Sequence, residues 1–125
     1  MKKTLLSLVT CLALLGTAKA ELVINSTVPE IVPARAAFPI TASVTDTQYG
    51  PRRSQVLVLI RRNGLAYQSY RFVTDQNGNG GIMIPGLPAR GLTETYSVKV
   101  LVTQLIANEH TVTSANPGAF KQWSN

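Results

Sequence analysis

Apolar and polar side chains alternate one by one along much of this 125-residue chain. The clearest stretch covers residues 36–46, in which every second position is apolar: Phe38, Ile40, Ala42 and Val44. Successive side chains of a β-strand point to opposite faces, so these four residues would share one buried face. No segment after residue 20 repeats apolar residues at the 3.6-residue period of an amphipathic helix. The pattern therefore predicts an all-β fold.

Turn residues at short intervals divide the chain into seven predicted strands. Asn63-Gly64 is a strong two-residue hairpin signal, and the glycine-rich segment 75–81 ends the strand that follows it. The predicted strands cover residues 22–28, 36–46, 55–62, 65–74, 82–84, 95–105 and 109–114. Seven short strands without a long linker favour a single antiparallel sandwich of the immunoglobulin-like type. Tyr96 resembles the tyrosine corner of such sandwiches, where the hydroxyl bonds to backbone a few residues upstream.

The first twenty residues have the three parts of a cleaved export signal. Two lysines precede an apolar run too short to span a bilayer comfortably, and Ala18-Lys19-Ala20 is a small-x-small cleavage site. We therefore expect residues 1–20 to be removed and residues 21–125 to form one domain of 125 − 20 = 105 residues. Cys11 is expected to leave with the signal rather than to carry a lipid. The expected location is the periplasm, or alternatively the extracellular space.

The expected mature domain has no cysteine and a modest positive charge. Loss of three lysines with the signal lowers Lys plus Arg from 12 to 9, so the net charge against six acids becomes 9 − 6 = +3. A disulfide, a thiolate nucleophile and a Cys-ligated metal are therefore excluded from this domain. No other segment approaches the length needed to span a bilayer, and we expect no membrane insertion after cleavage.

Residues that could carry catalysis or bind a metal are few and scattered. Asp75-Gln76-Asn77-Gly78-Asn79-Gly80 matches the first half of a calcium loop, but Gly86 stands where the acidic twelfth ligand would be. The single histidine, His110, is interpreted as a surface residue, and the six acids form no pair suited to hydrolysis. The sequence predicts no metal, no cofactor and no catalytic residues. A small hydrolase is the class with the least support.

Five arginines lie within twenty residues in the middle of the chain: Arg52, Arg53, Arg61, Arg62 and Arg71. They would present positive potential to an acidic partner, or alternatively would flank strands and keep sheet edges soluble. Nucleic acid is not expected as a partner, because the compartment is wrong and aromatic residues are not interleaved with the basic ones.

The predicted strand 55–62 is apolar on both faces, which favours either a central position or a binding surface on its outer side. In an immunoglobulin-like sandwich it lies beside strand 95–105, so we expect Val58 and Val98 in the core. The predicted protein-binding outer face consists of Arg53, Leu57, Leu59, Arg61, Lys99 and Leu101. The alternative is a face covered by a loop or by the C-terminal tail with Trp123.

Two families resemble parts of the chain. Phe72-Val73-Thr74-Asp75 with its glycine turn, followed by Tyr96-Ser97-Val98-Lys99-Val100, resembles the immunoglobulin-like and macroglobulin-type repeats of bacterial surface proteins. Those repeats usually occur as tandem domains in long proteins, whereas this chain is expected to be a single exported domain. The resemblance implies the fold and leaves an adhesion role as one interpretation.

More specifically, the chain resembles the curli assembly protein C family of the periplasm. The likeness is carried, in order, by Asn25-Ser26-Thr27, Thr45-Asp46-Thr47-Gln48, residues 56–64 and Gln122-Trp123. It implies an immunoglobulin-like sandwich that restrains premature amyloid formation by curli subunits. Enterobacterial members carry a Cys-x-Cys pair before the central strand, where this chain reads Arg52-Arg53-Ser54, so a redox role is not implied.

These observations predict a monomeric, non-enzymatic accessory factor that binds a protein, with a curli-type fibre subunit as the expected partner. A basic, partly apolar strand surface would capture a disordered subunit transiently and delay its strand pairing. The alternative is a secreted or surface adhesion or structural module without chaperone activity.

Overall fold

The computed structural model describes residues 21–118, and these residues form an all-β sandwich of two sheets. The nine strands of this described range are β1 (Leu22–Thr27), β2 (Ile31–Pro33), β3 (Phe38–Asp46), β4 (Gly50–Pro51), β5 (Gln55–Arg62), β6 (Leu65–Val73), β7 (Asn79–Ile84), β8 (Thr93–Thr103) and β9 (Ile106–Ala115). Among the same residues no helix is long and apolar enough to cross a membrane. The expected export signal and Trp123 lie outside the described residues.

The two sheets differ in size and in the way their strands are connected. The smaller sheet has β3 at its centre, with β1 on one side and β7 and β4 on the other. The larger sheet follows the order β2-β9-β8-β5-β6. Neighbouring strands run antiparallel everywhere except between β2 and β9, which are parallel. The all-β, two-sheet part of the prediction is confirmed.

The predicted count of seven strands, all antiparallel, is wrong. The two additional strands, β2 and β4, have three and two residues, too short to produce an alternation pattern in the sequence. β2 ends at Pro33 after the chain has crossed from the smaller to the larger sheet. β7 also begins earlier than predicted, at Asn79, because Asn79 and the two following glycines pair with β3. A glycine-rich segment can thus extend a strand when a long neighbouring strand supplies its hydrogen bonds.

The core lies between the inner faces of the sheets and confirms the predicted alternation. Val58 and Val98 are both buried, and so are the alternate β3 residues from Phe38 to Val44. The Tyr96 hydroxyl donates a hydrogen bond of 2.6 Å to the carbonyl oxygen of Pro88, which confirms the tyrosine corner. This inward packing of β5 and β8 leaves their other faces directed away from the core.

The predicted hairpin between β5 and β6 is present. Asn63 and Gly64 both have positive φ angles, 55° and 78°, as a two-residue type I′ turn requires. The register of β5 against β6 shifts between Ile60 and Arg61, which marks a β-bulge. The hairpin fixes which residues of β5 and β6 lie opposite each other on the outer face.

Candidate protein-binding surface

The structure places five of the six predicted surface residues on two neighbouring strands. β5 pairs with β8, as predicted, with Leu57 opposite Leu101 and Leu59 opposite Lys99. Residues that lie directly opposite each other in an antiparallel pair point to the same face. Arg61 follows two residues after Leu59 and shares that face. This is the outer face of the larger sheet, because the inner face of β5 is buried in the core.

Two of the predicted surface residues depart from the expectation. Leu101 is only 6% exposed, so the prediction that it is available to a partner is wrong. It lies on a central strand between Leu57 of β5 and Ala107 of β9, whose side chains point to the same face. Arg53 is exposed but lies two positions before β5 begins, outside the register that joins the other five.

An acidic residue lies on the same face and was missed from the sequence. Glu109 of β9 is opposite Lys99, and the two contribute to the lining of a depression of about 80 Å³ together with Leu59 and Arg61. A carboxylate opposite a lysine lowers the positive potential on this side of the sheet. Sequence reasoning missed Glu109 because it is the first residue of the last predicted strand, whose alternation does not indicate which face points outward.

The outer face is more strongly basic on its β6 side than on its β9 side. Arg71 of β6 lies opposite Leu57, so it adds a further cation to the outer face, four positions along β5 from Arg61. Neither arginine forms an ion pair with a carboxylate of residues 21–118, and neither β5 nor β6 contains an acidic residue. We refer to Leu57, Leu59, Arg61 and Arg71 as the β5–β6 basic face. Both leucines are half-buried and both arginines are exposed.

Two other arginines of the cluster, Arg52 and Arg62, form ion pairs with acidic residues of the domain. Arg52 Nη1 lies 2.8 Å from Oδ2 of the buried Asp46. Arg62 Nε lies 3.7 Å from Glu94 Oε2, and its guanidinium carbon lies 4.8 Å from the centre of the Tyr67 ring. These contacts show that Arg52 and Arg62 stabilise the fold. The alternative interpretation of the cluster, in which arginines flank strands and keep sheet edges soluble, fits Arg71, which is exposed on the edge strand β6.

The turn that matches the first half of a calcium loop uses the Asp75 carboxylate for hydrogen bonds within the turn itself. Asp75 Oδ1 accepts hydrogen bonds from the backbone N–H groups of Asn77, at 2.8 Å, and Asn79, at 3.0 Å. Gly78 has a φ of +80°, and a Cβ atom there would collide with the carbonyl oxygen of Val44. Within residues 21–118 no three His, Cys, Asp or Glu side chains are grouped as a metal site would need. These contacts are those of a tight hairpin connection.

His110 is not the surface residue that the sequence suggested. It is half-buried on the inner side of β9, and its Nε2 lies 2.7 Å from Ser26 Oγ on β1. The same hydroxyl donates a hydrogen bond of 2.7 Å to Asn108 Oδ1. Because a hydroxyl carries one hydrogen, His110 Nε2 must be the donor to Ser26 in this arrangement. A serine nucleophile needs the reverse polarity, so these contacts serve to join β1 to β9.

Comparison with known proteins identifies a shared fold and no family. No protein-family model matches the sequence, and no curated protein matches it either. A β-glucosidase from Listeria innocua in complex with glucose aligns with 77% of this chain at 6% identity and a TM-score of 0.50. The match covers only 16% of the β-glucosidase chain, so it shows a similar fold and carries no activity over.

Two further solved structures align with most of the chain. The CARDB domain of the PF1109 protein from Pyrococcus furiosus, in complex with di-metal ions, covers 78% of this chain and 93% of its own, at 14% identity and a TM-score of 0.47. Superoxide reductase (neelaredoxin) from Ignicoccus hospitalis aligns with 81% of this chain over 84% of its own chain, at 12% identity and a TM-score of 0.44.

Proposed function

We propose that this protein is a non-enzymatic accessory factor of the periplasm that binds other proteins and delays premature amyloid formation by curli-type fibre subunits. The observation that carries the proposal is the β5–β6 basic face, where two unpaired arginines accompany two half-buried leucines. The resemblance of the sequence to the curli assembly protein C family supports the choice of partner.

The proposed mechanism is transient capture. Arg61 and Arg71 raise the rate of encounter with an acidic, disordered chain, and the partly exposed leucines prolong the contact through apolar burial. A captured segment is not free to pair with strands of other subunits, which is the step that builds a cross-β fibre. The same segments are present in monomers and in fibre nuclei. Because nuclei are much rarer than monomers, capture of these segments on nuclei would act at a low ratio of this protein to subunit.

The test measures the lag time of fibre formation by a purified curli subunit, followed by thioflavin fluorescence with this protein at substoichiometric amounts. We expect the wild type to lengthen the lag, and Arg61→Ala with Arg71→Ala to abolish the extension. The matched control is Thr41→Glu with Thr45→Glu, which lowers the net charge by the same two units. Both threonines are exposed on the outer face of the smaller sheet, so this control should act like the wild type.

Salt separates electrostatic attraction from apolar contact. The lag extension should shrink as ionic strength rises from about 0.05 to 0.5 M, because the Debye length falls from roughly 14 to 4 Å. A wild-type protein that leaves the lag unchanged at low salt would contradict the proposed function. The adhesion or structural module would then be the better interpretation.

A further inference from the structure

β6 is the longest sheet edge that is open within residues 21–118. It pairs with β5 along one side and with no described strand along the other. The other edge strands are shorter, since β2 has three residues and ends at Pro33, and β1 and β7 have six residues each. β6 has nine residues and contains neither proline nor lysine, the residues that commonly block an edge. Its backbone is therefore able to accept another strand.

The hydrogen-bond pattern identifies the backbone groups that face outward. The Thr74 N–H donates to the Ser54 carbonyl at 2.8 Å, one step beyond the ladder of β5 and β6. Hydrogen-bonded and non-hydrogen-bonded pairs alternate along an antiparallel ladder. Counting back in steps of two, Tyr70 directs its backbone groups toward β5, whereas Ser69 and Arg71 direct theirs away from it. No backbone partner among residues 21–118 is found for these outward groups.

Only part of this edge is accessible. Near its end, Phe72 approaches β7, where a Cβ atom built on Gly80 would lie 3.1 Å from the Phe72 ring. The preceding residues of β6, which include Ser69 and Arg71, are exposed on the side directed away from the core. The open stretch is long enough for the two or three backbone hydrogen bonds by which an extended peptide adds to a sheet.

Charge indicates what kind of strand fits this edge. Arg71 lies on the outer face directly at the edge, and Arg61 lies opposite Ala66, whose small side chain leaves room for the arginine to reach the edge. A carboxylate on an added strand would meet these cations. A second copy of this chain fits poorly, because its β6 contains no acidic residue that could meet these cations.

We propose that β6 binds an extended acidic segment of the fibre subunit by strand addition. The outward backbone groups of Ser69 and Arg71 form the hydrogen bonds, and the β5–β6 basic face selects the carboxylates. The identity of the partner rests on the proposed function. The mode of binding rests on the free edge and its hydrogen-bond pattern.

The first test removes one outward N–H and leaves the ladder with β5 intact. Ser69→Pro does this, because proline is tolerated on an edge strand where its missing donor faces solvent. Ser69→Ala is the matched control, since it removes the hydroxyl and keeps the N–H. With monomeric curli subunit freshly transferred from denaturant, Ser69→Pro should need about fivefold more protein to double the lag. Ser69→Ala should behave like the wild type.

Circular dichroism and thermal melting are used to test whether the Ser69→Pro variant is folded. If the folded proline variant delays fibres as well as the wild type does, strand addition at β6 is wrong and the proposed function is unaffected. Sedimentation supplies a further outcome. A wild-type dimer that Ser69→Pro converts to a monomer would show that a second copy occupies the edge, which would overturn the acidic-segment proposal.

A second measurement uses only the wild type and does not depend on the lag. Amide hydrogen exchange is followed by NMR with and without an excess of the same monomeric subunit. The Ser69 and Arg71 amides should exchange at least about tenfold more slowly in its presence, whereas the Tyr70 amide, already bonded to β5, should change little. Unchanged exchange at both outward amides would overturn the proposal. Slowed exchange without a longer lag would support strand addition and contradict the holdase function.

Discussion

On one face of β5, Val56, Val58 and Ile60 are fully buried between the sheets, whereas on the other face Leu57 and Leu59 retain contact with solvent. The two faces are similarly hydrophobic, so composition does not explain the difference. The smaller sheet covers only the inner face of β5. No other layer of described strands covers the outer face. The covered side chains of β5 therefore form the core, whereas Leu57 and Leu59 keep part of their surface in contact with solvent.

The same division continues at the end of β5. Arg61 shares the outer face and has no ion-pair partner among residues 21–118, whereas its neighbour Arg62 lies near Glu94 and over the ring of Tyr67. Successive residues of a strand point to opposite sides. Two identical adjacent residues thus have different surroundings: Arg61 is exposed on the outer face, and Arg62 packs within the fold.

Aspartate substitutions on the two faces of β5 should give the largest contrast. Val58→Asp buries a carboxylate without a partner and should lower the free energy of unfolding by about 3–5 kcal/mol, on the order of the whole stability of a small domain. Leu59→Asp, one residue later on the outer face, should cost less than about 1.5 kcal/mol. Urea denaturation, monitored by far-ultraviolet circular dichroism, measures the free energy of unfolding of both variants. Equal losses would show that the two faces are packed alike.

The features that were predictable from the sequence depend on nearby residues. Alternation in β3 predicted its buried face, Asn63-Gly64 predicted the hairpin, and the position of Tyr96 predicted the tyrosine corner. The features that were missed depend on partners far away in the chain. The contact between Ser26 and His110 joins residues 84 positions apart, and no local pattern signals it.

The candidate surface was predictable in part for the same reason. The alternation of β5 identified Leu57 and Leu59 as a separate face, and the usual strand order of the fold placed Lys99 beside them. The burial of Leu101 and the approach of Glu109 depend on β9, whose register could not be obtained from its own sequence. A surface formed by three strands requires the facing directions of all three, and the sequence indicated those of β5 and β8 but not that of β9.

Neutralising the two adjacent arginines should test their different roles. Arg62→Gln removes the ion pair with Glu94 and the contact with the Tyr67 ring, so the urea midpoint should fall by roughly 0.3–0.5 M. Arg61→Gln should leave the midpoint unchanged and shorten the lag extension instead. A stability loss confined to Arg61→Gln would contradict the assignment of faces.

Acid should weaken the inner network through Glu94. A hydrogen bond from the Arg90 side chain, aided by the charges of Arg90 and Arg62, lowers the pKa of Glu94 from its ordinary value. A carboxylate with a lower pKa in the folded state stabilises the fold above its unfolded pKa and loses this contribution as pH falls through the folded pKa. The melting temperature should therefore fall below about pH 4.5, and less steeply in Glu94→Gln. A fall as steep in Glu94→Gln as in the wild type would contradict this role of Glu94.

The smallest effect concerns the acid on the outer face. Glu109→Gln removes the carboxylate opposite Lys99 and should make the face more attractive to an acidic chain. Exposed charge pairs contribute about 0.2–1 kcal/mol, so the protein concentration that doubles the lag should fall by roughly 1.5- to 5-fold at low salt. Glu21→Gln makes the same change in net charge before β1, away from this face. If Glu21→Gln were equally effective, net charge rather than the local outer face of β5 would govern binding, and the division between the two faces would not extend to function.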